Sequence, residues 1–188
     1  MTIIEGPGGF SIGLMNDTLF TPNSSDNVMN YKKIYCNGTN QDCLYLTRHG
    51  VFVLRDGVIV SSASICSSGG HTGIHPTCSI FEDNRILICC ADSIFCLTVP
   101  ELDLSWVTKA DDATCWEIFN CKDGYIVHGE LEISRIDKRG IIVWQFSGSD
   151  IFTTLTGKDS FIINGNVIEA VDWNGIKFII DAKTGKLL

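Results

Sequence analysis

Short apolar runs rich in Ile, Val, Phe and Tyr recur from one end of the chain to the other, separated by Gly, Asn and Asp. Runs of this kind bounded by turn residues read as strands, and no stretch sustains a 3.6-residue period, so the pattern predicts an all-β chain. Internal repetition then decides the fold, because a period of about 20–50 residues signals arrays or propellers. Four units align. Their first runs are 33–36, 78–81, 116–119 and 151–155, and their second runs are 44–46, 86–88, 125–127 and 161–163. Third runs follow at 51–54, 94–97, 131–136 and 167–171, and fourth runs at 58–60, 104–107, 141–146 and 176–180. The turns between third and fourth runs are Arg55-Asp56-Gly57, Pro100-Glu101-Leu102-Asp103, Asp137-Lys138-Arg139-Gly140 and Asp172-Trp173-Asn174-Gly175. Asp opens such turns by bonding its own backbone, and Gly supplies a positive φ.

Each unit therefore predicts a four-stranded antiparallel meander, and the unit starts at 33, 78, 116 and 151 lie 45, 38 and 35 residues apart. A lone meander cannot bury both faces, whereas radial repetition covers them and leaves only short edges. Residues 10–14 and 18–21 around Asn16-Asp17 read as one more hairpin, and Lys186-Leu187-Leu188 is left over at the other end. The expectation is a single small β-propeller domain, 1–188, of about five blades, the last one shared by the two termini. Four blades, an open arc and a β-sandwich are the architectural alternatives.

The stretch Arg135-Ile136-Asp137-Lys138-Arg139-Gly140-Ile141-Ile142-Val143-Trp144-Gln145-Phe146 and the closing Asp181-Ala182-Lys183-Thr184-Gly185-Lys186-Leu187-Leu188 resemble the Asp-x-x-Gly-x-x-x-Trp strand-turn-strand of PQQ-like and WD40-like propeller repeats. The resemblance covers the C-terminal part of the chain. It implies the propeller fold and little chemistry, since such folds host unrelated functions. A quinoprotein would need more blades and acidic calcium ligands around a central site; no matching motif is present, and no cofactor is expected.

Composition narrows the function classes. Of 188 residues, 22 are Asp or Glu against 14 Lys or Arg, for a net charge of −8. That balance opposes a general nucleic-acid binder, whose footprint is a basic patch. Hydrophobic residues at 45% with charged ones at 19% exclude intrinsic disorder. No basic start followed by an apolar stretch marks a secretory signal, and no run approaches the ~18 apolar residues of a spanning helix. The nine cysteines are odd in number, and several sit in apolar runs such as Ile88-Cys89-Cys90-Ala91, which points to reduced thiols in the cytoplasm. Cys66, His71, His75 and Cys78 could close a tetrahedral metal site, but their spacing matches no standard zinc motif, so a plain loop is expected. His49 and His128 fall at hairpin turns and are expected as solvated rings. No G-x-S-x-G, P-loop or H-E-x-x-H occurs, and the chain is not read as an enzyme.

In a propeller the loops between units share a face with the turns between second and third strands. Here that face would carry loops 61–77 and 108–114, with Asp92, Asp111, Asp112, Glu130 and Asp150 against only Arg48 and Lys109. Trp106 and Trp116 flank the loop, either as interface anchors or as packing between blades. The expected function is a protein-binding module whose acidic face captures a basic protein partner. Asp92, Asp111, Asp112 and Glu130 would pair with Lys or Arg, and Trp106 or Trp116 would be the apolar anchor. This profile resembles, in type rather than in motif, immunity proteins that neutralise nuclease toxins in bacterial contact-dependent growth inhibition. The resemblance implies a basic toxin nuclease domain as partner, with no direct contact to nucleic acid or membrane. The alternative is a small-ligand or carbohydrate-binding propeller in which Trp and Tyr stack on sugar rings.

Overall fold

The computed structural model of the chain describes residues 1–6, 9–37, 47–155, 157 and 160–188. The first sheet contains β1 (Thr2–Glu5), β2 (Phe10–Asn16), β3 (Lys33–Asn37), β4 (Thr47–Arg55) and β5 (Val58–Ser67), in the order β1-β2-β4-β5-β3. The second is the meander β6 (Ser79–Glu82), β7 (Arg85–Cys90), β8 (Ser93–Thr98) and β9 (Leu104–Lys109). The third is the meander β10 (Cys115–Cys121), β11 (Gly124–Gly129), β12 (Glu132–Asp137) and β13 (Ile142–Ser147). The fourth holds β14 (Phe161–Asn164), β15 (Val167–Val171) and β16 (Lys177–Asp181), extended by an antiparallel bridge between Ile180 and Leu187. The architecture is a β-propeller built from antiparallel meanders. No helix among the described residues is long and apolar enough to cross a membrane.

The apolar runs are continuous rather than alternating because the middle sheets are covered on both faces. Along β7, Ile86, Ile88 and Cys90 face a core shared with the first sheet, while Leu87 and Cys89 face one shared with the third. β8 divides in the same way, with Phe95 and Leu97 on one side and Ile94 and Cys96 on the other. On β11, Tyr125 and Val127 join the core toward the second sheet, and Ile126 joins the core toward the fourth. The four sheets are thus stacked through three successive seams, and among the described residues no hydrophobic cluster joins the fourth sheet to the first.

The second and third units fold as the sequence pattern predicts; the first and fourth do not. Run 33–36 is not the opening strand of a meander but β3, which lies parallel to β5 on the outer edge, Tyr35 opposite Ile65. The run 44–46 and Cys43 lie outside the described residues. The expected N-terminal hairpin across Asn16-Asp17 is replaced by β1 and β2, with Ile4 opposite Ile12, and β2 then pairs with β4, Leu14 opposite Val51. Run 151–155 is not a strand, so the fourth sheet starts ten residues later than expected, at Phe161. The five-blade ring with a shared last blade is therefore corrected. The N-terminal strands open the first sheet because Ile12 and Leu14 complete its core with Val51 and Val53, while Leu187 closes the fourth sheet.

The two motifs that resemble propeller repeats occupy equivalent places. Asp137 Oδ1 accepts from the amides of Arg139 and Ile141, at 2.8 and 2.9 Å. Asp181 Oδ1 accepts from the amide and hydroxyl of Thr184, both at 2.7 Å. Each turn closes on a glycine with positive φ, 81° at Gly140 and 72° at Gly185, and on each glycine lies a tryptophan ring from the preceding sheet, Trp106 and Trp144 respectively. A Cβ would meet these rings at 2.5 and 2.6 Å. Both backbone conformation and contact thus demand glycine, and Gly140→Ala and Gly185→Ala are each expected to cost ~1–3 kcal/mol, measured as a lower urea midpoint. Gly175→Ala, where positive φ acts without any nearby atom, should cost less.

Candidate functional site

Hydrogen bonds between neighbouring sheets place the expected loop face. Gly70 N donates to Ala113 O, Ala110 N and Asp111 N donate to Asp92 O, Glu130 N donates to Thr114 O, and Phe152 N donates to Glu130 O. Loop 108–114 is therefore clamped between the turns that follow β7 and β11. The loop before the second sheet is shorter than expected, since β5 runs on to Ser67. Asp172, read from the sequence as a turn between third and fourth strands and so on the side away from these loops, comes to this face instead: it accepts from Ser149 Oγ, while Trp173 N donates to Ile151 O.

The six candidate docking residues fall into different roles. Asp111 is buried; its Oδ1 accepts from the amides of Ala113 and Thr114, and its Oδ2 from those of Leu131 and Glu132. Burial pushes its carboxyl above the ordinary range against the pull of those four amides. Asp92 is also buried, with Oδ1 taking hydrogens from Ser67 and Ser93, each at 2.7 Å. Neither carboxylate is a surface charge, because the strand ends present bare amides and hydroxyls that only a buried acceptor satisfies. Asp112, by contrast, has a side chain 78% exposed and touches Lys109 Nζ at 2.9 Å. Glu130 is half-buried and accepts from Thr114 Oγ1 at 2.7 Å. Trp106 is committed to covering Gly140. Trp116 lies edge-on to His128 at 5.3 Å in a cleft of about 320 Å³ that also includes Thr72, His75 and Ser160. The structure brings Asp112 and Glu130 together with the loop that Asp111 holds, sets Trp116 in the cleft between the inter-sheet loops, and commits Trp106 to the far-side turn at Gly140.

The histidines expected at the surface are buried as well. His128 on β11 stands opposite Glu117 on β10. Its Nδ1 meets Glu117 Oε2 at 2.8 Å and its Nε2 meets Phe152 O at 3.0 Å. The ring stacks on Phe161 of the fourth sheet at 4.4 Å. Glu117 Oε1 in turn accepts from Thr77 Oγ1 at 2.6 Å, and Thr77 lies 3.2 Å from His75 Nδ1. The His128 bond, then the Thr77 bond, hold Glu117 below the usual carboxylate range although burial opposes them. This pair ties the third sheet to the fourth and to the segment that leads into the second. Its sequence signal is an ionisable residue inside each of two apolar runs at positions that pair across a hairpin. His49 on β4 is fully buried, and burial, then the charge of His71, bring its pKa down to about 4. Cys66 and Cys78 are both buried, Cys78 within the core between the second and third sheets. Among the described residues no group of three or more His, Cys, Asp or Glu is placed to hold a metal.

No protein-family model matches the sequence, and no curated protein does. Solved structures match in fold. The computationally designed Ika8 protein superposes with a TM-score of 0.51 at 13% identity, over 76% of this chain and 44% of that one. BamB from Moraxella catarrhalis gives 0.51 at 16% identity, over 73% and 42%. The Pan2 WD40 domain of Neurospora crassa gives 0.47 at 16%, over 60% and 37%. The chain spans less than half the length of these three proteins, and what it shares with Ika8 and BamB is the fold alone.

Two outcomes follow from the buried acids and histidine. Asp111→Ala strips the acceptor from four amides and is expected to cost ~3 kcal/mol, whereas Asp112→Ala should stay within ~0.5 kcal/mol, both read by urea unfolding at pH 7. His49 contributes stability that is complete above its ordinary pKa of 6.5 and decays as pH falls toward about 4; Glu117, held low, adds a further loss below the carboxylate range. Unfolding free energy should therefore fall by roughly 3 kcal/mol between pH 7 and pH 4 from His49 alone, and His49→Gln should flatten that limb.

Proposed function

We propose that the chain is a protein-docking module of the propeller type, and that a basic protein domain docks on the face carrying loop 108–114. The observation that carries this reading is the division of labour between adjacent acids. Asp111 spends its charge on four backbone amides and so fixes the loop, while Asp112 beside it stands in solvent. Glu130 and the exposed Asp150 extend the negative edge. A rigid loop offers charge to a partner without losing conformational freedom on binding. The ion pair from Lys109 to Asp112 is solvent-exposed and worth only ~0–1 kcal/mol, so a partner's arginine displaces it at little cost. The net charge of −8 steers basic partners in and repels polyanions. Within that class we propose a nuclease toxin domain, which must be basic to hold its substrate, with this chain acting as its immunity protein; Trp116 is the remaining candidate for an apolar anchor.

The test is binding of basic nuclease domains to the purified chain by surface plasmon resonance. Asp112→Lys is expected to lower the association rate severalfold while leaving the urea midpoint near wild type, and adding Glu130→Lys, which also removes the acceptor of Thr114 Oγ1, should bring the loss to about tenfold or more. An unchanged rate would remove the docking face, and binding without loss of nuclease activity would remove the immunity role alone.

A further inference from the structure

On the side of the molecule away from loop 108–114, the third and fourth sheets part in a cleft of about 420 Å³. Lys122, Arg135 and Lys183 line it against the single acid Asp123, a local excess of positive charge in a chain whose net charge is −8. Arg135 is braced across the seam, donating to Lys122 O and Lys183 O at 2.8 Å each. No ion pair joins any of these three cations to a carboxylate among the described residues. Asp181, in the neighbouring turn, is held by hydrogen bonds from Thr184, and the charge of Lys183 adds to them without a direct ion pair.

The preceding seam shows what such a place holds. Glu82 ends β6 as Cys121 ends β10: each pairs with the first residue of the next strand, Arg85 and Gly124 respectively. Glu82 accepts from Lys138 Nζ at 2.5 Å and from the Tyr125 hydroxyl, with Arg85 at 3.8 Å. Burial would raise its carboxyl, and the bonds from Lys138 and Tyr125 overcome that to hold it low. One carboxylate thus neutralises the cations of that seam from within the chain. In the next seam the same position is Cys121, whose smaller side chain supplies no charge, so the braced Arg135 and the exposed Lys122 and Lys183 meet no carboxylate there.

We propose that this cleft binds a small organic anion, a di- or tricarboxylate, with one carboxylate taking the place that Glu82 fills in the seam before it. Lys122 and Lys183 hold the charged end at the mouth, Asn120 and Asn166 offer amides, and Ile126 and Ile163 form the floor. The site lies across the molecule from the proposed docking loop and does not depend on it.

The probe is citrate, titrated calorimetrically into the full chain at low salt. Saturable one-to-one binding in the millimolar range or tighter is expected, weakening with added salt. Lys122→Glu with Lys183→Glu should lower affinity about tenfold or more, because both side chains are exposed and their loss leaves the fold intact. Cys121→Glu should abolish binding by supplying the missing carboxylate from inside. Lack of saturation by folded wild-type protein overturns the proposal, and so does citrate binding that both variants leave unchanged.

Discussion

A sheet buried on both sides must present apolar side chains to two neighbours at once, and in this chain that requirement fixes the order of everything else. β7, β8 and β11 each divide their side chains between two cores, so no sheet is complete until the next has folded against it. The seams that result also receive the loop ends, where unpaired amides and hydroxyls would otherwise be stranded away from water. Buried acids meet that demand. Asp111 and Asp92 serve the face that carries the inter-sheet loops, Glu82 serves the other side, and Glu117 with His128 stands where the third sheet meets the fourth and the segment that leads into the second. Burying a carboxylate is unfavourable by itself, and each of these sites offsets it with at least two hydrogen bonds.

The second and third blades were legible in the sequence because their strands pair with sequence neighbours, so each apolar run and its turn carry the whole instruction. The first blade was not, since β2 pairs with β4 across an intervening segment and β3 pairs in parallel with β5. Periodicity reports that a strand exists and is silent about a distant partner. The fourth blade was misread for another reason. Asp172-Trp173-Asn174-Gly175 and Asp181-Ala182-Lys183-Thr184-Gly185 are chemically similar turns, and only the contact of Gly185 with Trp144 shows which one corresponds to Asp137-Lys138-Arg139-Gly140.

The candidate site divides along the same line. That loop 108–114 shares a face with the turns at Asp92 and Glu130 was readable from strand order alone. Which acids stay in solvent was not, because an Asp beside a loop has the same sequence signature whether it faces water or caps four amides. Asp111 and Asp112 are adjacent in the chain and opposite in fate. The histidines teach the same lesson: His49 and His128 lie next to glycines in strands that continue past the expected turns.

Three seams in series have a thermodynamic corollary. The outer side of the first sheet is sealed by its own insertion, where Phe20 and Tyr31 pack with Phe52, and Tyr31 donates to Asp17 at 2.6 Å. The fourth sheet turns Ile162 and the ion pair of Glu169 with Lys177 outward, and among the described residues it packs through one seam. Energetically the molecule is then closer to a linear solenoid than to a ring, with each sheet coupled to its nearest neighbours. Of the sheets described, the fourth is coupled on one face alone, so local opening is expected to start there before it reaches the doubly covered second and third sheets.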